Sequence, residues 1–196
     1  MTSRLIRFIF GILKLVFLIL STFLHNIYYR YISKSYKKAQ KYLENGTFSF
    51  SFHADDARKS VAALDKTYNY IFLDAFTPSK CPCLWTLEFF RLLYDRLEPG
   101  GKLLTYSQAA PVRNAMLQAG FRVGKTSSGT VAVKNPALIK TPLTEYDLGL
   151  LKTRAGIVYR DETLSLENEA IIAAHKKERE ESNLMTTSRY IKSYRP

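Results

Sequence analysis

The run YIFL at residues 70–73 is apolar throughout and ends in one carboxylate, Asp74, before the chain turns through Phe76 and Pro78. A short apolar run bounded by turn signals reads as a strand buried on both faces, the kind found inside parallel sheets. An acid at the carboxyl end of such a strand narrows the choice of fold, because open α/β sheets bind ligands in the crevice beyond the strand ends. Asp74 is therefore placed at the rim of a site, where the core gives it no structural reason to be.

The flanking segments extend this pattern. In TFSFSFH, Phe48, Phe50 and Phe52 alternate with Ser49, Ser51 and His53, as in a half-exposed strand. Ala57, Val61 and Leu64 then recur at helical spacing, with Asp55 and Asp56 at the point where carboxylates cap free N–H groups. Residues 84–97 carry Leu87, Phe90, Leu93, Tyr94 and Leu97 on one side of a helix that stops at Pro99-Gly100-Gly101. KLLTYS reads as another buried strand, residues 111–119 as a short helix closed by Gly120, and FRVGK and GTVAV as two strands joined in a hairpin. The order β-α-β-α-β-α-β-β predicts a doubly wound α/β domain over residues 47–142 that ends in an antiparallel pair. Residues 143–196 read as an extension with helices near 145–153 and 166–182 and a loosely held basic tail.

Residues 1–46 are a separate segment. From residue 5 to residue 24 the chain is almost wholly apolar, the length of a membrane-spanning helix, with Lys14 near its middle. No small-residue cleavage site follows, so removal as a signal peptide is not expected. Three readings of this predicted helix are open. It could be a membrane anchor, an interfacial helix with Tyr28, Tyr29 and Tyr31 at the headgroups, or a helix packed on the sheet. Lys34, Lys37 and Lys38 make residues 5–38 a candidate contact for an anionic membrane surface.

The chain carries 29 Lys and Arg against 17 Asp and Glu, a formal charge of +12, which favours polyanions over acidic proteins as partners. Cys81 and Cys83 are its two cysteines, spaced too closely for an easy structural bridge and without the further ligands a zinc site needs. They read as two thiols in a reducing compartment, and no metal is expected.

Three motifs now combine. FLDAFTPSKCPCLWT at residues 72–86, EPGGKLLTYS at 98–107 and VRNAMLQAGF at 112–121 resemble, in order and spacing, the methyltransferase domain of the tRNA 5-methylaminomethyl-2-thiouridine biosynthesis family. Asp56-Ala57-Arg58 is similar to that family's G-D-A-R segment, with Asp55 where Gly is usual. The closing part, LLKTRAGIVYRDETL and a final T-S-R, resembles the C-terminal extension of cyanobacterial members. That resemblance implies a cyanobacterial cytoplasmic or plastid (chloroplast) protein, membrane-associated if residues 5–24 enter a bilayer.

The resemblance implies a class I S-adenosylmethionine (SAM) methyltransferase, Rossmann-like, that methylates an aminomethyl group on the wobble uridine of tRNA. It also implies an N-terminally truncated, incomplete sheet. The Gly-rich turn after the first strand and the acid ending the second, which hold the cofactor, have no counterpart before residue 48. The strand at 48–53 would be the third, and something must fill the gap beside it.

By resemblance Asp74 is the catalytic residue that meets the amine. Phe76, Pro78 and Trp85 wall the target base, Tyr106 and Ser107 line the same crevice, and Arg113 contacts a phosphate. Asp56 and Ala57 lie near the adenine of SAM. Each has a structural alternative: Trp85 as a core anchor, Asp56 as a helix cap, Arg58 and Arg113 as partners of surface carboxylates. Two functions follow. One is an RNA methyltransferase, acting on tRNA with a partner chain that supplies the missing front half. The other is a non-catalytic, membrane-associated remnant that keeps the later strands for binding.

Overall fold

The computed structural model describes residues 4–10, 15–21, 48–53 and 55–194, with side chains at His53 and at 55–194. Strands β1 (Arg4–Phe10), β2 (Leu15–Ser21), β3 (Phe48–His53), β4 (Tyr68–Asp74), β5 (Leu97–Thr105), β6 (Arg122–Lys125) and β7 (Thr130–Val133) form one sheet among these residues. Their spatial order is β3-β1-β2-β4-β5-β7-β6. β2, β4 and β5 run parallel, with Ser21 level with Asp74 and Leu73 level with Thr105. β7 is inserted antiparallel between β5 and β6, so the β6–β7 turn lies at the end of the sheet where β5 finishes.

Helices α1 (Ala57–Ala62), α2 (Leu87–Asp95) and α3 (Ala110–Gln118) follow β3, β4 and β5. Thr86 caps α2 through the Phe89 amide, and Leu87, Phe89, Phe90 and Leu93 are buried. They pack with Ile71 and Leu73 of β4, Leu103 of β5 and Ala132 of β7 in one core. Burying a side chain of this size contributes roughly 1.5–3 kcal/mol over leaving it exposed. Gly120 closes α3 with φ of 104°, a left-handed conformation that Gly adopts without a Cβ clash.

The α/β class and the C-terminal helices are as the sequence predicts, but the N-terminal helix is not. Within residues 5–24, the described parts are strands, and β1 and β2 form an antiparallel hairpin between β3 and β4. An apolar run cannot by itself distinguish a buried strand from a helix. Ile6, Phe8, Ile9, Phe10, Val16, Phe17 and Ile19 are β-branched or aromatic. The outer edge of β4 also carries backbone groups that a helix could not pair. The hairpin thus occupies the two places that the resemblance reserves for the first and second strands. Among the described residues no helix is long and apolar enough to cross a membrane. The tyrosines and lysines at 28–38 lie outside the described residues.

The C-terminal segment holds α4 (Glu145–Leu151), α5 (Asn168–Glu181) and α6 (Thr187–Tyr194). The tail predicted to be loose is therefore helical over 187–194. Tyr190 donates to the Tyr146 carbonyl at 3.1 Å, and Tyr190 and Tyr194 pack against the Tyr146 ring. Two aromatic rings four residues apart, Tyr190 and Tyr194, meet Tyr146 of α4 and supply an anchor that the tail's charge obscured.

Candidate active site

The parallel strands β4 and β5 bring Asp74 and Tyr106 side by side at their carboxyl ends, at a cleft of about 540 Å³. Phe72, Leu73, Leu104 and Thr105 also line it, and Thr126, Ser127, Ser128 and Thr130 come from the β6–β7 turn and the start of β7. Asp74 is exposed, the last residue of a strand whose Ile71 and Leu73 are fully buried. Tyr106 donates its hydroxyl to the Ala75 carbonyl at 2.7 Å, bracing the end of β5 against the chain just beyond Asp74. Burial, and then the charge of Asp74, push its phenol above its ordinary pKa.

The floor is fixed by a buried relay. Thr130 donates to the Ser107 carbonyl at 2.6 Å and accepts from Arg113 Nε at 3.0 Å. Arg113 is 6% exposed, with Nη1 3.6 Å from the Asp147 carboxylate and Nη2 without a partner among the described residues. Its cation faces the interior of the fold. Ser107, 5% exposed, accepts from the Ala109 amide at 3.4 Å and shapes the turn into α3.

Of the residues assigned to the wall, Trp85 is fully buried and donates its indole N–H to the Phe76 carbonyl at 2.7 Å. Its ring meets Tyr106 edge-on at 6.0 Å, so it supports the cleft from behind. Phe76 and Pro78 sit half-buried in the turn after β4 and do not line the cleft. The structure therefore brings Asp74 and Tyr106 together, holds Trp85, Ser107 and Arg113 beneath them, and sets Asp56 and Ala57 elsewhere.

Asp56 caps α1 through the Arg58 amide at 2.9 Å and grips the Arg58 guanidinium at 2.7 Å. Burial raises its pKa, but the hydrogen bonds and charge of Arg58 outweigh that and leave it below the ordinary carboxylate value. Ala57 has no exposed surface. Arg58 reaches on to Asp161, itself fully buried, at 2.7 Å and to the Leu166 carbonyl at 2.8 Å.

Sequence reasoning missed Asp161, whose partner is over a hundred residues away. It also missed the hydroxyl-rich turn Thr126-Ser127-Ser128. TSSG was legible as a turn, but its place over β5 depends on β7 lying between β5 and β6.

A family model described as S-adenosyl-L-methionine-dependent methyltransferase matches residues 20–137. The chain belongs to this family. The structure of MnmC2 from Aquifex aeolicus is similar at a TM-score of 0.58 and 31% identity, over 64% of this chain and 42% of that one. The tRNA 5-methylaminomethyl-2-thiouridine biosynthesis bifunctional protein MnmC of Azoarcus sp. is 36% identical over 84 residues, 43% of this chain and 13% of that protein. An uncharacterized protein of Methanocaldococcus jannaschii is 37% identical over 139 residues, 67% of this chain and 39% of that protein. The chain thus spans about two fifths of the first relative's length. The homology to the MnmC methyltransferase region that the DAFTP run suggested is established.

The family implies SAM, and the described residues can be tested against it. A class I fold holds the nucleoside with a Gly-rich turn and a carboxylate at neighbouring strand ends. Here the positions level with Asp74 are Ser21 of β2 and, beyond it, Arg4 of the antiparallel β1. The Asp56 carboxylate is occupied by Arg58, and Ala57 is sealed in the core. The described residues do not build that cradle.

Proposed function

We propose that the cleft at the ends of β4 and β5 receives the aminomethyl group of a tRNA wobble uridine, as the acceptor site of an MnmC-type methyl transfer. The observation that carries this is the placement of Asp74. It is an exposed carboxylate, without a hydrogen bond or ion pair among the described residues, at the mouth of a cleft with an apolar wall. An aliphatic amine is an ammonium ion at neutral pH and must lose a proton before it can be alkylated. A carboxylate in that position attracts the cation, orients its N–H and can take the proton. Phe72, Leu104 and the Tyr106 ring offer the apolar surface a pyrimidine needs, and the formal charge of +12 suits a polyanion.

The engaged Asp56 and the buried Ala57 favour a second reading, in which the chain recognises the acceptor without holding the methyl donor. One experiment separates the two. The full chain is incubated with methyl-labelled SAM and tRNA bearing 5-aminomethyl-2-thiouridine, and the wobble nucleoside is analysed for label and the tRNA for binding. Label in that nucleoside supports the methyltransferase reading, and selective binding without label supports the second. Neither label nor selectivity for the aminomethyl group refutes both.

A further inference from the structure

We propose that Cys81 and Cys83 form a reversible disulfide, a two-electron oxidation site in the loop between β4 and α2. The two Sγ atoms lie 3.6 Å apart across Pro82, close enough for one thiol to donate to the other. Closing them to a bond of about 2.05 Å requires a shift of about 1.5 Å, within the reach of side-chain rotation and a small change in the turn. Among the described residues no group of three metal-ligating side chains exists, so the pair is not part of a metal site there. Cys83 is half-exposed and Cys81 buried beneath it, and the Cys83 amide is held by Asn168 Oδ1 at 3.2 Å. The pair is thus ordered by α5 and open to small molecules on one side.

The two thiols are not equivalent. The hydrogen bond from Cys83 pulls Cys81 below the ordinary thiol pKa against the effect of burial, and the Arg58 charge adds to the pull. The same hydrogen bond, with burial, pushes Cys83 up. This polarity favours Cys81 as the nucleophile and Cys83 as the resolving thiol, while the 3.6 Å separation of the two sulfurs, the same from either side, carries the bridge.

With hydrogen peroxide as oxidant, the Cys81 thiolate attacks one oxygen, the O–O bond breaks, and a sulfenic acid and hydroxide form. The Cys83 thiolate then displaces hydroxide from the Cys81 sulfur, forming the S–S bond. The protons shed by the two thiols convert both hydroxides to water. The pair loses two electrons and the peroxide gains them. A bridge between residues two apart closes a tight ring, and strained bridges are the readily reduced ones.

The single tryptophan of the chain reports the event. The Pro82 carbonyl accepts the Trp85 amide at 2.8 Å, and the Trp85 ring abuts Tyr106 at the cleft. Bridging twists the turn that holds Trp85 and so reaches the back of the cleft. The inference needs nothing of the acceptor chemistry.

The test treats the full reduced chain with a small excess of hydrogen peroxide, followed by intact mass, thiol count and Trp85 emission. The expected result is a mass lower by about 2 Da, no free thiol and a changed emission, all restored by dithiothreitol. In Cys83→Ser, Cys81 should instead stop at a sulfenic acid that dimedone traps. Two surviving thiols, or sulfinic acids without any loss of about 2 Da, would overturn the proposal.

Discussion

Replacing Asp161 with Ala removes a fully buried carboxylate that ties the C-terminal segment to Arg58 of α1. Asp161 is fully buried and accepts from Arg58 Nη1 at 2.7 Å, from the Ser165 amide at 3.1 Å and from the Leu166 amide at 3.2 Å. Its own amide donates to Glu88 Oε2 at 2.8 Å, so the loop it organises is anchored to α2 as well. Breaking a buried ion pair from one side costs about 3–5 kcal/mol, since the remaining charge stays out of water. Asp56 still holds the other edge of the Arg58 guanidinium, which offsets part of that loss. The two stranded amides add back about 1 kcal/mol each. The sum stays at about 3–5 kcal/mol. With a urea slope of about 2.5 kcal/mol/M, the unfolding midpoint should fall by roughly 1.2–2 M. Trp85 emission follows the transition. Asp161→Asn, which keeps the shape and part of the acceptor set, should lose less. A midpoint for Asp161→Ala within about 0.3 M of wild type would refute the view that this group is a structural clamp.

Two further perturbations test the site and its supports. A Cβ at Gly129 would lie 2.0 Å from the Thr105 carbonyl oxygen, a backbone atom that cannot swing aside. Gly129→Ala should therefore cost about 1–3 kcal/mol and displace the turn from the cleft, visible as a lower melting temperature and weaker acceptor binding. An unchanged melting temperature would show that the turn is free to relax. Burial lowers the His175 pKa, opposed by the 2.9 Å contact with the Ile157 carbonyl, while the ring stacks on Tyr159 at 4.1 Å. A histidine depressed in the folded state stabilises fully above its unfolded value of about 6.5 and loses that contribution as pH falls toward the folded value. Between pH 7.5 and 5, wild type should lose more stability than His175→Gln. Parallel curves in urea titrations at several pH values would contradict this.

What was legible in the sequence divides along physical lines. Period and punctuation located β4, α2, β5, α3 and the last hairpin, with Asp74 and Gly120 marking boundaries through local backbone chemistry, although α2 starts at Leu87 rather than Leu84 and Pro99-Gly100-Gly101, expected as a turn, lies within β5. Residues 5–24 defeated the same reasoning. Their apolar content fits a helix in lipid and a strand in a sheet alike, and only the unpaired edge of β4 decides between them. Asp74 could be placed at the rim because a strand's end is a local property. The distant partners of Arg58 and Arg113 could not, since Asp161 and Asp147 meet them through chain reversals that no spacing rule encodes. Trp85 shows the same limit: its place in the motif pointed to the wall of a base site, while its full burial makes it a support for Tyr106.

The most direct test of the acceptor site is binding of an anticodon stem–loop with 5-aminomethyl-2-thiouridine at the wobble position, compared with one bearing 2-thiouridine. Each is titrated into wild type and Asp74→Asn. Because Asp74 is exposed, its contact with the ammonium should be worth about 0.5–1 kcal/mol, roughly a two- to fivefold preference for the aminomethyl loop. Wild type should show that preference, and Asp74→Asn should bind both loops alike with its melting temperature unchanged. Equal affinity of wild type for the two loops, or a preference that survives in Asp74→Asn, would contradict the assignment of Asp74 and of the cleft it borders.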